Sequence, residues 1–119
     1  MREILFRGKT DDGKWKHGSL TLARKEERIG AVIVDVEDSI VYGVIPETTG
    51  QYTGLKDKNG TMIFEGDVVF AGYGEYYQGT HEHSTTIIID MSNYDALNAL
   101  CNANVVEVIG NIHDKEEDI

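Results

Sequence analysis

The chain has 119 residues, 40% hydrophobic and 27% charged, with thirteen glycines and one proline. That balance suits one soluble domain and excludes a proline-rich disordered chain. Eleven Lys and Arg against twenty-one Asp and Glu leave a formal charge of −10, a field that repels phosphate backbones and argues against nucleic-acid binding.

The one basic cluster, Arg24-Lys25-Glu26-Glu27-Arg28, carries its own glutamates and reads as a solvated hairpin tip. Cys101 is the only cysteine, which excludes an internal disulfide framework and a CxxC metal knuckle and points to a reducing compartment. No apolar leader core follows Met1, and no apolar run is long enough to span a bilayer, so a cytoplasmic protein is expected.

In chain order, Arg2 to Gly8 reads as a short strand and Asp11-Asp12-Gly13 as a tight turn. In the strand that follows, Gly18, Leu20 and Leu22 share a face. Trp15 falls out of that phase, so the strand starts after it or a bulge intervenes. Gly30–Val36 and Ile40–Ile45 are Val- and Ile-rich runs broken by Glu37-Asp38-Ser39, a hairpin pattern that stops at Pro46. Gln51-Tyr52-Thr53 is a short extended piece. Asn59-Gly60 ends a polar turn, and Met62-Ile63-Phe64 and Val68-Val69-Phe70 form two strands around a Glu65-Gly66-Asp67 corner.

Gly72 to Glu82 reads as an exposed Gly-Tyr loop, and Thr85 to Asp90 as a β-branched strand. A single helix is expected near 93–102, capped by Ser92 with Asp95 three residues on. Its apolar stripe is Tyr94, Leu97, Leu100 and Cys101, and Asn102 and Asn104 are candidates for a left-handed end. Val105 to Ile109 is the last strand. Residues 1–113 form the expected domain, and 114–119 a frayed acidic tail.

The fold class is therefore mainly β: short antiparallel strands in a partly open barrel or folded sheet, with one short helix. The expected core is Ile4, Phe6, Leu20, Val32, Val34, Val41, Ile63, Val68, Phe70, Ile87, Ile89, Leu97, Leu100, Val106 and Val108. An aspartate at Val34 or Leu97 is expected to unfold the domain, since a buried unpaired charge is not tolerated.

Three segments resemble the YopX family of phages and prophages: Arg2-Glu3-Ile4-Leu5-Phe6-Arg7; Pro46 through Gly60, continuing from Ile63 to Val69; and Val106 through Ile112. They occur in the family's order and span nearly the whole chain. Lys9 stands where the family often has an aromatic residue, Thr49 where it often has Val, and the acidic tail replaces an apolar extension. The resemblance implies a mainly β, partly barrel-like domain in a bacterial host cell, with no catalytic motif to carry onto these residues.

The middle segment also reads physically. Gly50, Gly54, Gly60 and Gly66 punctuate short pieces, and Asp57, Asn59 and Asp67 suit turns whose amides their side chains satisfy.

Candidate chemistry is sparse. In a strand His81 and His83 would share a face at metal-ligand spacing, with Asp90 or Glu75 as sources of a third ligand; this is the alternative, a metal-dependent enzyme. A polar segment holding two histidines by chance is the simpler reading, and no stoichiometric metal or cofactor is expected. Glu65 and Asp67 as an acid–base pair lack any sign of two distinct environments. No G-x-S-x-G elbow or phosphate loop occurs.

Tyr73, Tyr76 and Tyr77, interleaved with Gly72, Gly74 and Gly79, form an aromatic surface suited to protein contacts. The leading expectation is a non-enzymatic interaction or regulatory protein from a phage or prophage genome that self-associates, since the Val-rich runs carry few of the Lys or Pro residues that guard open strand edges, with a host or phage protein as the other candidate partner. A small β-barrel nucleic-acid binder and an acidic DNA mimic are the further alternatives.

Overall fold

In a computed structural model, the structure describes residues 4–26, 28–77 and 80–114; the side chains of 25, 28, 75–77, 80–82 and 94 lie outside that description. The elements are β1 (Phe6–Lys9), β2 (Trp15–Lys25), β3 (Arg28–Asp35), β4 (Val41–Val44), a 3-10 turn (Pro46–Thr48), β5 (Gly50–Lys56), β6 (Met62–Phe64), β7 (Asp67–Tyr77), β8 (Thr80–Ile88), α1 (Tyr94–Asn102) and β9 (Val105–Asn111). They build a six-stranded sheet of order β4-β3-β2-β1-β5-β6 and a three-stranded sheet of order β8-β7-β9. Both are antiparallel and neither closes into a barrel. The chain divides into two compact units, Met1–Tyr52 and Thr53–Ile119.

The first unit is a meander. β1 pairs with β2 across the Asp11-Asp12-Gly13 turn, where Gly13 takes φ +88°. β2 pairs with β3 as far as Lys25 opposite Arg28. β3 pairs with β4 across the Glu37-Asp38-Ser39 reversal. The carboxylate of Asp35 holds that reversal by accepting the amides of Glu37 at 2.8 Å and Asp38 at 3.3 Å, an Asx-type turn. Trp15 lies inside β2 with no bulge, on the opposite face from Leu20. The strand is therefore two-sided, which neither sequence alternative for Trp15 allowed.

The buried cluster of this unit is Ala31, Ile33 and Val44, with Leu20 packed against it. Here the expected core is out of phase. Ile4 is 68%, Val34 40% and Val41 59% exposed, while Leu5 and Ile33 are buried; Phe6 and Val32 are intermediate. β3 is apolar on both faces, so periodicity alone cannot choose the inward row. The register does: Gly18 opposite Asp35 and Leu20 opposite Ile33 put Ala31, Ile33 and Asp35 inward, and a one-residue change of phase flips every side chain. The expectation that an aspartate at Val34 unfolds the domain falls with that correction.

The second unit buries Ile63, Val69, Ile89 and Leu100, with Ile87, Leu97, Val106 and Val108 packed around them. β7 shows the same one-residue offset, with Val69 and Ala71 buried and Val68 and Phe70 only half-buried. The expected Gly-Tyr loop is instead paired backbone: β7 continues to Tyr77 and β8 begins at Thr80, with a bulge between Tyr73 and Tyr76 where Gly74 takes φ +77°. A glycine at positive φ lets a hairpin absorb the extra residue and continue. Gln78 and Gly79 lie outside the described residues.

The helix starts one residue later than expected. Asn93 is its cap and accepts the Ala96 amide at 3.1 Å. Ser92 is instead held by Asp90, donating both its amide and its hydroxyl to that carboxylate. The helix ends in extended backbone at Ala103, with no left-handed asparagine. Cys101 is exposed rather than part of the buried stripe.

Candidate interaction surfaces

The family-like middle segment forms two corners, each held by one carboxylate. Asp57 is buried. One of its oxygens accepts the amides of Asn59 and Thr61, both at 2.9 Å, and the other accepts the Val108 amide of β9 at 2.9 Å. Burial acts to raise its pKa, but the amides of Val108, Thr61 and Asn59 outweigh it and hold the carboxyl below its ordinary value. Asp67 is 1% exposed and accepts the Phe64 amide at 2.8 Å across the β6–β7 corner.

Gly54, Gly60 and Gly66 take φ of +90°, +82° and +94°. Gly50 instead opens β5 in ordinary strand backbone, opposite Arg7. Glu65 accepts the Met91 amide at 3.4 Å. The two carboxylates weighed as an acid–base pair thus both accept main-chain amides of the fold.

The tyrosine segment lies on the β7–β8 hairpin. Tyr73 is half-buried, and its hydroxyl donates to the Ala99 carbonyl of α1 at 2.9 Å. Nearby, the Gly74 amide donates to the side chain of Asn104 at 3.2 Å. Tyr76 and Tyr77 continue the strand opposite His81 and Thr80, while Tyr73 faces His83. His83 and His81 therefore sit on one paired strand. Among the described residues no group of three or more His, Cys, Asp or Glu side chains is placed to hold a metal ion. Of the two third ligands weighed, Asp90 is engaged by Ser92, and the side chain of Glu75 lies outside the described residues.

Two further features lie in the first unit, of which the sequence reading missed the first and left the second unplaced. On one sheet face, the buried Arg7 guanidinium lies 4.4 Å from the centre of the Trp15 ring and the Lys9 ammonium 5.6 Å from it. His17 stands opposite Arg7 in the register, and burial, then the Arg7 charge, lowers its pKa against the opposing pull of Asp35 and Glu37.

The second feature is β4, a terminal strand of the six-stranded sheet. Val34, Val36, Ile40 and Val41 are all exposed along the β3–β4 hairpin. The signal was present in two apolar runs joined by Glu37-Asp38-Ser39; assigning both runs to the core concealed it.

The molecule is thus a two-sheet antiparallel β protein whose long middle segment is spent on carboxylate-held corners, and whose β3–β4 hairpin carries several of its exposed aliphatic side chains. Comparison with models of known protein families identifies it further: the YopX model, described as YopX protein, matches residues 5–118, and the chain belongs to that family. No curated protein and no solved structure gives a significant match. Among the described residues, no helix is long and apolar enough to cross a membrane.

Proposed function

We propose that this YopX-family chain is a non-enzymatic interaction or regulatory protein, encoded by phage or prophage DNA, that acts in the bacterial cytoplasm and self-associates. One observation supports the self-association in this reading: Val34, Val36 and Val41, on one face of the β3–β4 hairpin, are 40–59% exposed together at the end of the six-stranded sheet. Natural edge strands are blunted with Lys, Pro or bulges, whereas β4 reads Val-Tyr-Gly-Val in regular register. Contiguous apolar surface of this kind marks contact sites. Tyr73, Tyr76 and Tyr77 are the candidate contact residues of the second unit, because aromatic residues are enriched at interfaces.

Light scattering over a micromolar dilution series tests the reading. The expected mass rises with concentration above the 13.3 kDa of one chain. A constant 13.3 kDa removes self-association.

A further inference from the structure

We infer that the partner at the β4 edge is a second copy of this chain, paired antiparallel strand to strand about a two-fold axis through Tyr42; this rests on the self-association reading above. The hydrogen-bond alternation fixes which groups are free to pair. The Asp35 amide donates to the Ile40 carbonyl at 2.9 Å, and the Val36 amide turns the other way, to the His17 carbonyl at 2.9 Å. Continued along the register Ile33↔Tyr42 and Ala31↔Val44, this alternation directs Tyr42 and Val44 toward β3. It leaves the N–H and C=O of Val41 and Gly43 on the outer edge. With Tyr42 on the axis, Val41 of one copy stands opposite Gly43 of the other, and those outward groups form two reciprocal pairs of hydrogen bonds.

The side chains match in the same register. Val41 is 59% exposed, and Gly43 shares its face with nothing within 4 Å of where a Cβ would stand. Each valine therefore projects beside an empty glycine position on the other copy. On the opposite face, each Tyr42 carries both signs of charge: the Lys16 ammonium lies 4.1 Å from its ring centre, and its hydroxyl donates to Asp38 at 2.6 Å. Two such surfaces meeting about a two-fold can set Lys16 of one against Asp38 of the other, an isologous and self-complementary contact. A net charge of −10 per chain opposes approach, so added salt should strengthen the pair.

The axis predicts a disulfide. A non-hydrogen-bonded antiparallel pair has Cα atoms about 4.5 Å apart, within the range of about 4.4–6.8 Å that a disulfide spans. Tyr42→Cys, made with Cys101→Ser to remove the native thiol, should give a covalent dimer under mild oxidation. The same background carrying Ile29→Cys, on the same sheet but away from β4, should stay monomeric on a denaturing gel.

Val41→Lys needs no new packing at an exposed position and supplies the missing guard, so it should return the parent mass to 13.3 kDa. Light scattering on the parent chain reports whether self-association exists. If the parent is a dimer but Tyr42→Cys gives no cross-link and Val41→Lys keeps the parent mass, this edge is overturned while self-association stands.

Discussion

Ile33 and Val34 are adjacent β-branched residues on β3, and truncating each should give opposite outcomes. Ile33 is 0% exposed, packed with Ala31 and Val44, and its Cδ1 lies 3.2 Å from where a Cβ on Gly8 would be. Backbone that close leaves little room for collapse, so Ile33→Ala loses three buried carbons and keeps most of the cavity. At about 0.8 kcal/mol per carbon, the transfer loss is about 2.4 kcal/mol. The unfilled space brings the total to about 3–4 kcal/mol, within the observed range for such truncations. Val34→Ala removes two carbons from a side chain already 40% exposed, for about 1 kcal/mol or less. For a chain of this length, about 4 °C per kcal/mol translates these losses into melting shifts of about 12–16 °C and under about 4 °C. Thermal unfolding followed by far-UV circular dichroism, at one dilute concentration, measures both. Equal shifts, or a larger shift for Val34→Ala, would refute the assigned inward row of β3.

Asp57→Asn keeps the shape but weakens acceptance of the Asn59, Thr61 and Val108 amides; charge-assisted bonds are worth about 1.5–3 kcal/mol each at most, so a loss of about 2–4 kcal/mol in urea unfolding is expected. Because the folded pKa of Asp57 lies below the unfolded value, its contribution is complete above about pH 4 and is lost as pH falls through the folded pKa. An acid-unfolding midpoint unchanged in the Asn variant would contradict this. His17 has the same sign for a different reason: its folded pKa is lowered by burial and Arg7, so below pH 6.5 the unfolded chain binds the extra proton and stability declines. His17→Gln should flatten the urea midpoint between pH 7.5 and 5.5, and an unaltered slope would exclude His17 as the cause. At Gly18 an added Cβ would stand 1.8 Å from the Val34 carbonyl oxygen, so Gly18→Ala must shift the β2–β3 pairing and should lower the melting temperature by several degrees; a neutral result would contradict that close approach.

Much of the architecture was legible because turn chemistry is local. Asp11-Asp12-Gly13, Glu37-Asp38-Ser39 and Asn59-Gly60 mark reversals that the fold places there. The family-like segment was equally readable, since Gly60, Gly66, Asp57 and Asp67 act on backbone only a few residues away. Non-local determinants were not readable. The inward row of β3 depends on the register with β2, which no property of Ala31-Val32-Ile33-Val34 fixes. Tyr73 reads as a free surface aromatic until Ala99, twenty-six residues on, takes its hydroxyl. The link from Asp57 to the Val108 amide spans fifty-one residues and has no sequence signature. Which Val-rich run forms the edge was hidden for the same reason: Val41 looks like core until strand order puts its strand on the outside.

Amide exchange at the β4 edge, followed by nuclear magnetic resonance over a concentration series, tests the self-associating edge most directly. The account predicts that the Val41 and Gly43 N–H groups become protected as concentration rises. The Val36 amide, bonded to the His17 carbonyl within its own chain, should be protected throughout. Fast exchange at Val41 and Gly43 at every concentration, in a protein that light scattering shows to be associated, would contradict it.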